Sequence, residues 1–155
     1  MDSVILMCGA AGSGKSTYAH RLGEAGYTVL SFDIEAWRRG FRTHPVPVEG
    51  RREVHETLQR RLLEAVDDGR PVVVDTSFWS RASRDEYREL LASRGVVPVV
   101  HYMATPRHAI LESLARRRTA GPDDIAVPVE QALSYMDGLQ VPTAEEGPLR
   151  VIGEA

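Results

Sequence analysis

The chain has 155 residues, 43% hydrophobic and 26% charged, a balance that excludes a disordered tail and fits a single domain over 1–155 able to bury a core without metal or disulfide staples. Acidic residues outnumber basic ones by 22 to 19, for a net charge of −3, so no global field draws in nucleic acid or an anionic membrane. The single cysteine, Cys8, excludes an internal disulfide; with no basic leader and no apolar run near the ~20 residues that a bilayer crossing needs, the expected compartment is the cytoplasm.

Short apolar or β-branched runs alternate with amphipathic stretches, the pattern of βαβ units around a parallel sheet. The first run, Val4–Cys8, leads into Gly9-Ala10-Ala11-Gly12-Ser13-Gly14-Lys15-Ser16, a full match to G-x-x-x-x-G-K-[ST] placed between a predicted strand and a predicted helix. Glycines there let the backbone fold into a ring of N–H donors, and the helix N-terminus adds its positive dipole end, so the loop cradles phosphates. Lys15 is read as the point charge on the β- and γ-phosphates, Ser16 as a hydroxyl ligand for Mg²⁺, and Thr17 as a further nucleotide contact. Lys15 is also the one lysine among 19 basic residues, in a role that the planar arginine fork would serve poorly. Tyr18, Ala19 and Leu22 supply the apolar side of the helix that follows.

A second strand is predicted over 28–32, which makes Asp33 a strand-end acid at the ligand side of the sheet. A carboxylate there can accept the proton of an acceptor hydroxyl during in-line attack. Glu35 is a weaker candidate. Trp37, Arg38 and Arg42, with Arg39 and Phe41, are read as acceptor contacts beside Asp33, and 39–50, with prolines at 45 and 47, as a loop over the crevice. Val54, Leu58, Leu62 and Val66 then recur at helical spacing, with Arg60 able to pair with Glu56 and Glu64 on the solvated face.

The third strand, 71–75, is an apolar run ending in Asp75, read as a Mg²⁺ ligand or an acceptor contact, with Thr76 and Ser77 as polar neighbours. Trp79 is assigned either to the pocket or to the core. Ser83 with Glu86 reads as a capping box, Tyr87, Leu90 and Leu91 as a buried stripe, and Gly95 as the stop. A fourth strand is expected over 97–103, a helix from Thr105-Pro106 with Ile110, Leu111 and Leu114 inward, an amphipathic segment over 129–139, and a last strand at Leu149–Ile152. Arg116-Arg117-Arg118 opens a lid over about 116–128, from which Arg116 or Arg118 would reach the transferring phosphate. His44, His55 and His101 are read as structural.

In this order the phosphate loop, the two acids and the arginine triplet make the chain resemble the small P-loop kinases. The resemblance is to the polynucleotide kinase, chloramphenicol phosphotransferase and zeta-toxin-like group, with many uncharacterised AAA-type ATP-binding kinases. It implies an α/β P-loop NTPase fold, a three-layer sandwich with a five-stranded parallel sheet flanked by helices. It also implies ATP and Mg²⁺ as cofactors, Asp33 as the acceptor base and a lid carrying Arg116 and Arg118. Asp75-Thr76-Ser77 resembles the Asp-Ala-Thr-Asn type sequence of the polynucleotide kinases. Val141-Pro142-Thr143-Ala144-Glu145-Glu146-Gly147 is similar to the Pro-Pro-Thr-x-x-Glu-Gly stretch of the uncharacterised kinases. The function so implied is phosphotransfer from ATP to a hydroxyl of a small molecule such as a sugar, nucleoside or antibiotic. A polynucleotide 5′-hydroxyl kinase and a nucleotide-binding switch ATPase are the alternatives; the acidic balance disfavours nucleic acid.

Overall fold

In a computed structural model that describes residues 2–116 and 127–153, the central apolar runs are buried on both faces of one sheet. Val4–Cys8 forms β1, Thr28–Ser31 β2, Val72–Asp75 β3, Val99–Met103 β4 and Leu149–Ile152 β5. They lie in the order β2-β3-β1-β4-β5, and every neighbouring pair is parallel. The first connection carries the chain from β1 past the β3 position to the β2 edge, and the connection after β3 carries it back across β1. Ligand crevices in open α/β sheets form at the strand C-termini where connections part in this way.

Period-two alternation sorts the core into two layers. Val4, Leu6, Cys8, Val72 and Val74 face one side and pack on residues of α2 (Phe32–Arg38), α3 (Val48–Asp67) and α4 (Arg81–Ala92), including Ala36, Leu58, Leu62 and Tyr87. Ile5, Met7 and Val73 face the other side and pack on Tyr18, Ala19 and Leu22 of α1 (Lys15–Glu24). The remaining helices are α5 (Arg107–Arg116) and α6 (Val129–Gly138). The fold is thus the expected three-layer α/β sandwich, a five-stranded parallel sheet flanked by helices. None of the described helices is long and apolar enough to cross a membrane.

Several boundaries differ from the sequence expectation. β2 stops at Ser31 because its hydroxyl accepts the Ile34 N–H at 3.2 Å and caps α2, so Phe32 and Asp33 belong to a helical first turn rather than to a strand end. α3 begins at Val48, inside the segment read as a loop over 39–50. β4 begins only after Pro98, which has no N–H to give to a ladder. α4 is capped by Ser80, whose Oγ accepts the Ser83 N–H at 3.1 Å, and not by Ser83. Gly95 does end that helical stretch, in the left-handed region at φ 70°, with its N–H on the Ala92 carbonyl.

Arg84 of α4 is fully buried, and its counter-ion comes from the segment before β5. Its Nε and Nη2 donate to the two Glu146 oxygens at 2.6 and 3.1 Å, and Arg88 adds a third bond to Glu146 at 3.0 Å. The remaining Arg84 nitrogen donates to the Phe78 carbonyl at 2.7 Å. Burial pushes the Glu146 carboxyl up, but the hydrogen bonds and charges of Arg84 and Arg88 outweigh it and hold the group below its ordinary value of 4.5. A carboxylate held low in the folded state stabilises above the unfolded-state value, and that stabilisation disappears as pH falls through the folded value. Glu146→Gln leaves a buried guanidinium without its counter-charge and is expected to cost about 3 kcal/mol at pH 7, at the lower end for a broken buried pair. The variant should also lose less further stability than the parent below pH 4.5. Urea unfolding at pH 7 and pH 4 checks both; equal stability of the two proteins at pH 7 would show that the pair contributes nothing.

Candidate functional site

The strand C-termini open into a cavity of about 370 Å³, within the size range of small-molecule sites. One end of it is the phosphate loop. Gly12 and Gly14 take φ of 82° and 93°, open to glycine at no steric cost. A Cβ on Gly12 would in addition sit 3.1 Å from both the Ile110 carbonyl and Leu114 of α5, so a side chain there would crowd the helix. Gly14 leads directly into α1, whose first residues are Lys15, Ser16 and Thr17. Gly9, Ala10, Ala11, Gly12 and Gly14 line the cavity together with these three. Ser13 is buried behind them, its carbonyl held by Thr105 Oγ1 at 2.7 Å and its own hydroxyl without a partner among the described residues.

Asp75 meets this loop because β3 lies beside β1 with Met7 opposite Asp75. Ser16 Oγ donates to Asp75 Oδ2 at 2.9 Å, and Lys15 Nζ lies 3.8 Å from Oδ1. Asp75 is 4% exposed, and its Oδ1 accepts no hydrogen bond among the described residues. A buried, under-coordinated carboxylate oxygen next to a serine hydroxyl is a hard-oxygen donor set that fits Mg²⁺, which typically takes one or two protein oxygens and completes its shell with water and phosphate. No group of three or more metal-binding side chains occurs among the described residues, so the arrangement is not an all-protein metal cage.

The far end of the cavity is built by α2, the loop after it, α3 and α6. Asp33 lines it from the first turn of α2, and its Oδ1 lies 3.0 Å from His44 Nε2. His44 stacks on Phe32 with ring centroids 6.0 Å apart. This corrects the structural reading of His44, which chain distance from Asp33 hid. His55 also lines the cavity, with Nδ1 2.8 Å from the Tyr87 hydroxyl; burial lowers its pKa, Glu86 opposes that and Arg51 reinforces it. His101 lies elsewhere, bonded to Tyr18 and Asp2, in the structural role expected. Trp79 is a cavity residue, 43% exposed and set against Gly138 of α6.

The basic residues of this region divide differently from the sequence reading. Trp37, Arg38 and Arg42 are not among the cavity-lining residues; the Arg42 guanidinium lies 3.8 Å over the Trp37 ring and donates to the Trp37 carbonyl, and Arg38 sits 3.9 Å from Glu35. Buried Glu35 takes further ion pairs from Arg39 and Arg61 at 3.0 and 3.2 Å, a structural hub rather than a cavity carboxylate. Arg51 and Arg52 of α3 face the cavity instead. Arg116 closes α5, exposed and away from the lining, while Arg118 and most of the expected lid lie outside the described residues.

The loop joining β3 to α4 forms the floor. Gly9 N–H donates to the Ser77 carbonyl at 3.1 Å, and Phe78, a non-glycine residue at φ 46°, is pinned by Arg84 on its carbonyl and by its ring against Tyr87 at 4.8 Å. The Cys8 thiol also reaches that carbonyl at 3.4 Å; burial pushes its pKa up to about 11, so it is an inert core thiol.

No curated protein matches the chain in sequence. Among solved structures it is similar to a sugar kinase from a Janibacter species, with a TM-score of 0.70 and 19% identity over 98% of this chain and 85% of that one. It is similar to a gluconokinase from Sinorhizobium meliloti, with a TM-score of 0.68 and 20% identity over 99% and 85%. The Mycobacterium tuberculosis APS kinase CysC in complex with AMPPNP and APS gives a TM-score of 0.60 and 19% identity over 88% and 96%. These likenesses establish the fold of the small P-loop kinases. A family model described as an AAA domain matches residues 4–142, and the chain belongs to that family.

Proposed function

We propose that the protein is an ATP- and Mg²⁺-dependent phosphotransferase that moves the γ-phosphate to a hydroxyl of a small molecule. The observation that carries this reading is the presence, in one cavity, of a complete phosphate loop with Lys15, Ser16 and Asp75 at one end and the Asp33–His44 pair at the other. A nucleotide switch needs the first group; the second is what an acceptor hydroxyl needs.

Backbone N–H groups of the loop and Lys15 orient the triphosphate of ATP. Ser16 and Asp75 would hold a Mg²⁺ ion, which would supply charge neutralisation to the triphosphate. The acceptor oxygen attacks the γ-phosphorus as the bond to the bridging oxygen of ADP breaks. Asp33 takes the acceptor proton, and His44 holds the carboxylate in position through Oδ1. Trp79, Val48 and Leu139 around the cavity limit the water that would otherwise compete with the acceptor. Arg116 and Arg118 remain the candidates for a lid contact with the transferring phosphoryl group.

Lys15→Ala is expected to lower turnover about 10²–10³-fold, the scale of losing one charge-stabilising donor, and to weaken ATP binding in the same protein. Unchanged turnover and affinity would remove Lys15 from the phosphate site. Asp33→Asn should reduce transfer about 10²–10⁴-fold while ATP affinity stays within about two-fold, because the amide keeps the shape and loses the basic oxygen. Transfer of label from γ-labelled ATP to a panel of sugars, nucleosides and a 5′-hydroxyl oligonucleotide, with the Asp33→Asn protein as control, measures this. Full transfer by the variant would overturn the base assignment, and label confined to the oligonucleotide would move the acceptor to nucleic acid.

A further inference from the structure

We propose that the acceptor carries an oxyanion, phosphate or carboxylate, which Arg51 and Arg52 of α3 hold while its hydroxyl meets Asp33; the inference rests on the phosphotransferase reading above. Val48, Arg51, Arg52 and His55 all line the cavity, and their spacing of i, i+3, i+4 and i+7 is one face of a helix. The adjoining stripe of α3 is committed to the core through Val54, Leu58 and Leu62. Nothing in packing requires cations on the cavity face, and a run of polar uncharged residues would serve the fold equally.

Neither guanidinium has a partner among the described residues. The same holds for Arg60, which makes none of the ion pairs with Glu56 and Glu64 that its spacing suggests, but Arg51 and Arg52 are the ones that line the cavity. Arg39 and Arg61 are paired with Glu35, Arg84 and Arg88 with Glu146, and Arg94 with Asp67. The Arg51 and Arg52 guanidiniums make no hydrogen bond or ion pair among the described residues, although the chain as a whole has an acidic excess. Among the described residues the carboxylates lining the cavity are Asp33 and Asp75, and Asp75 is engaged with Ser16 and Lys15. Within that set the acceptor end holds the two arginines beside the single carboxylate Asp33. Half-buried His55 is bonded to the Tyr87 hydroxyl, and burial lowers its pKa.

A neutral acceptor filling this end would displace water from two guanidiniums and offer them no counter-charge, which is unfavourable. An oxyanion offers paired acceptor oxygens to the planar fork, the geometry in which arginine binds best. The same charges would select against neutral sugars that fit by shape alone.

Thermal unfolding of the full chain saturated with Mg²⁺ and AMPPNP, which fills the phosphate loop, tests the inference at constant ionic strength. Ribose 5-phosphate is compared with ribose, D-gluconate with D-glucose, and inorganic phosphate is added alone. At least one anionic probe is expected to raise the melting temperature beyond AMPPNP alone while its neutral counterpart does not; which anion acts distinguishes phosphate from carboxylate. In the Arg51→Ala/Arg52→Ala protein the dissociation constant of that probe should rise by at least about ten-fold, with AMPPNP affinity within about two-fold. Both arginines are exposed and make no contact the fold relies on, so the variant is expected to keep the parent's melting temperature without ligand. Equal response to a neutral partner, no response to any anion, or an unchanged response in the double variant overturns the inference. Failure of the parent to bind AMPPNP would bring down the phosphotransferase reading first, and this inference with it.

Discussion

The parallel pairing of β1 with β3 is the constraint on which the site depends. In that register Met7 stands opposite Asp75, and Val73 and Asp75 share the face that α1 covers. Asp75 is thereby delivered to Ser16 and Lys15, the first residues of that helix. A slip of one residue would turn Asp75 to the α3 and α4 side and bring Val74 to the phosphate loop. The register is specified by burial, since every residue of both strands is buried and the apolar ones fill the two core layers. The Gly9 N–H bond to the Ser77 carbonyl locks the two connections beyond the strands into the same alignment.

A second network holds the floor of the site from below. Arg84 links Phe78 on the floor to Glu146 on the segment that enters β5, so the last strand and the ligand cavity share one buried charge pair. Phe78 adopts a left-handed backbone that costs of order 1–3 kcal/mol for a residue with a side chain. The guanidinium on its carbonyl and the Tyr87 ring against its own offset that cost and fix where the loop runs. The stretch around Glu146, itself outside the cavity lining, thus acts on the site by holding the cation that shapes the floor.

How much of this was legible in the sequence follows from how local each signal is. The phosphate loop is a contiguous motif, and the strands are short apolar runs, so both could be read directly. Asp33 lies on the side of the sheet that the sequence implies, but in the first turn of α2 rather than at a strand end. Ser31 followed by acids at positions 33 and 35 is a helix N-terminus signal, and the apolar run into Phe32 masked it. The Asp33–His44 pair exists only because the chain folds back over the crevice after α2, which no periodicity records. Arg38 and Arg42 are close to Asp33 along the chain, yet a seven-residue helix leaves them outside the cavity, with Arg42 on Trp37. Arg51 and Arg52 lie just past the segment read as a loop, and only the start of α3 at Val48 brings its first two turns against the cavity.

The two ends of the cavity are built from different materials, and that difference bears on how such a fold changes substrate. The phosphate end uses main-chain donors whose directions are set by glycine dihedrals and by one helix start, so it tolerates almost no variation. The far end uses side chains on α2, α3 and α6 and on the intervening loop, several of them exposed and uninvolved in the core. Substitutions at Arg51, Arg52 or Trp79 therefore alter the charge and shape of that end at little cost to stability. A scaffold divided in this way keeps its nucleotide chemistry while the identity of the second substrate drifts. The acceptor must accordingly be argued from this chain's own side chains rather than from the fold.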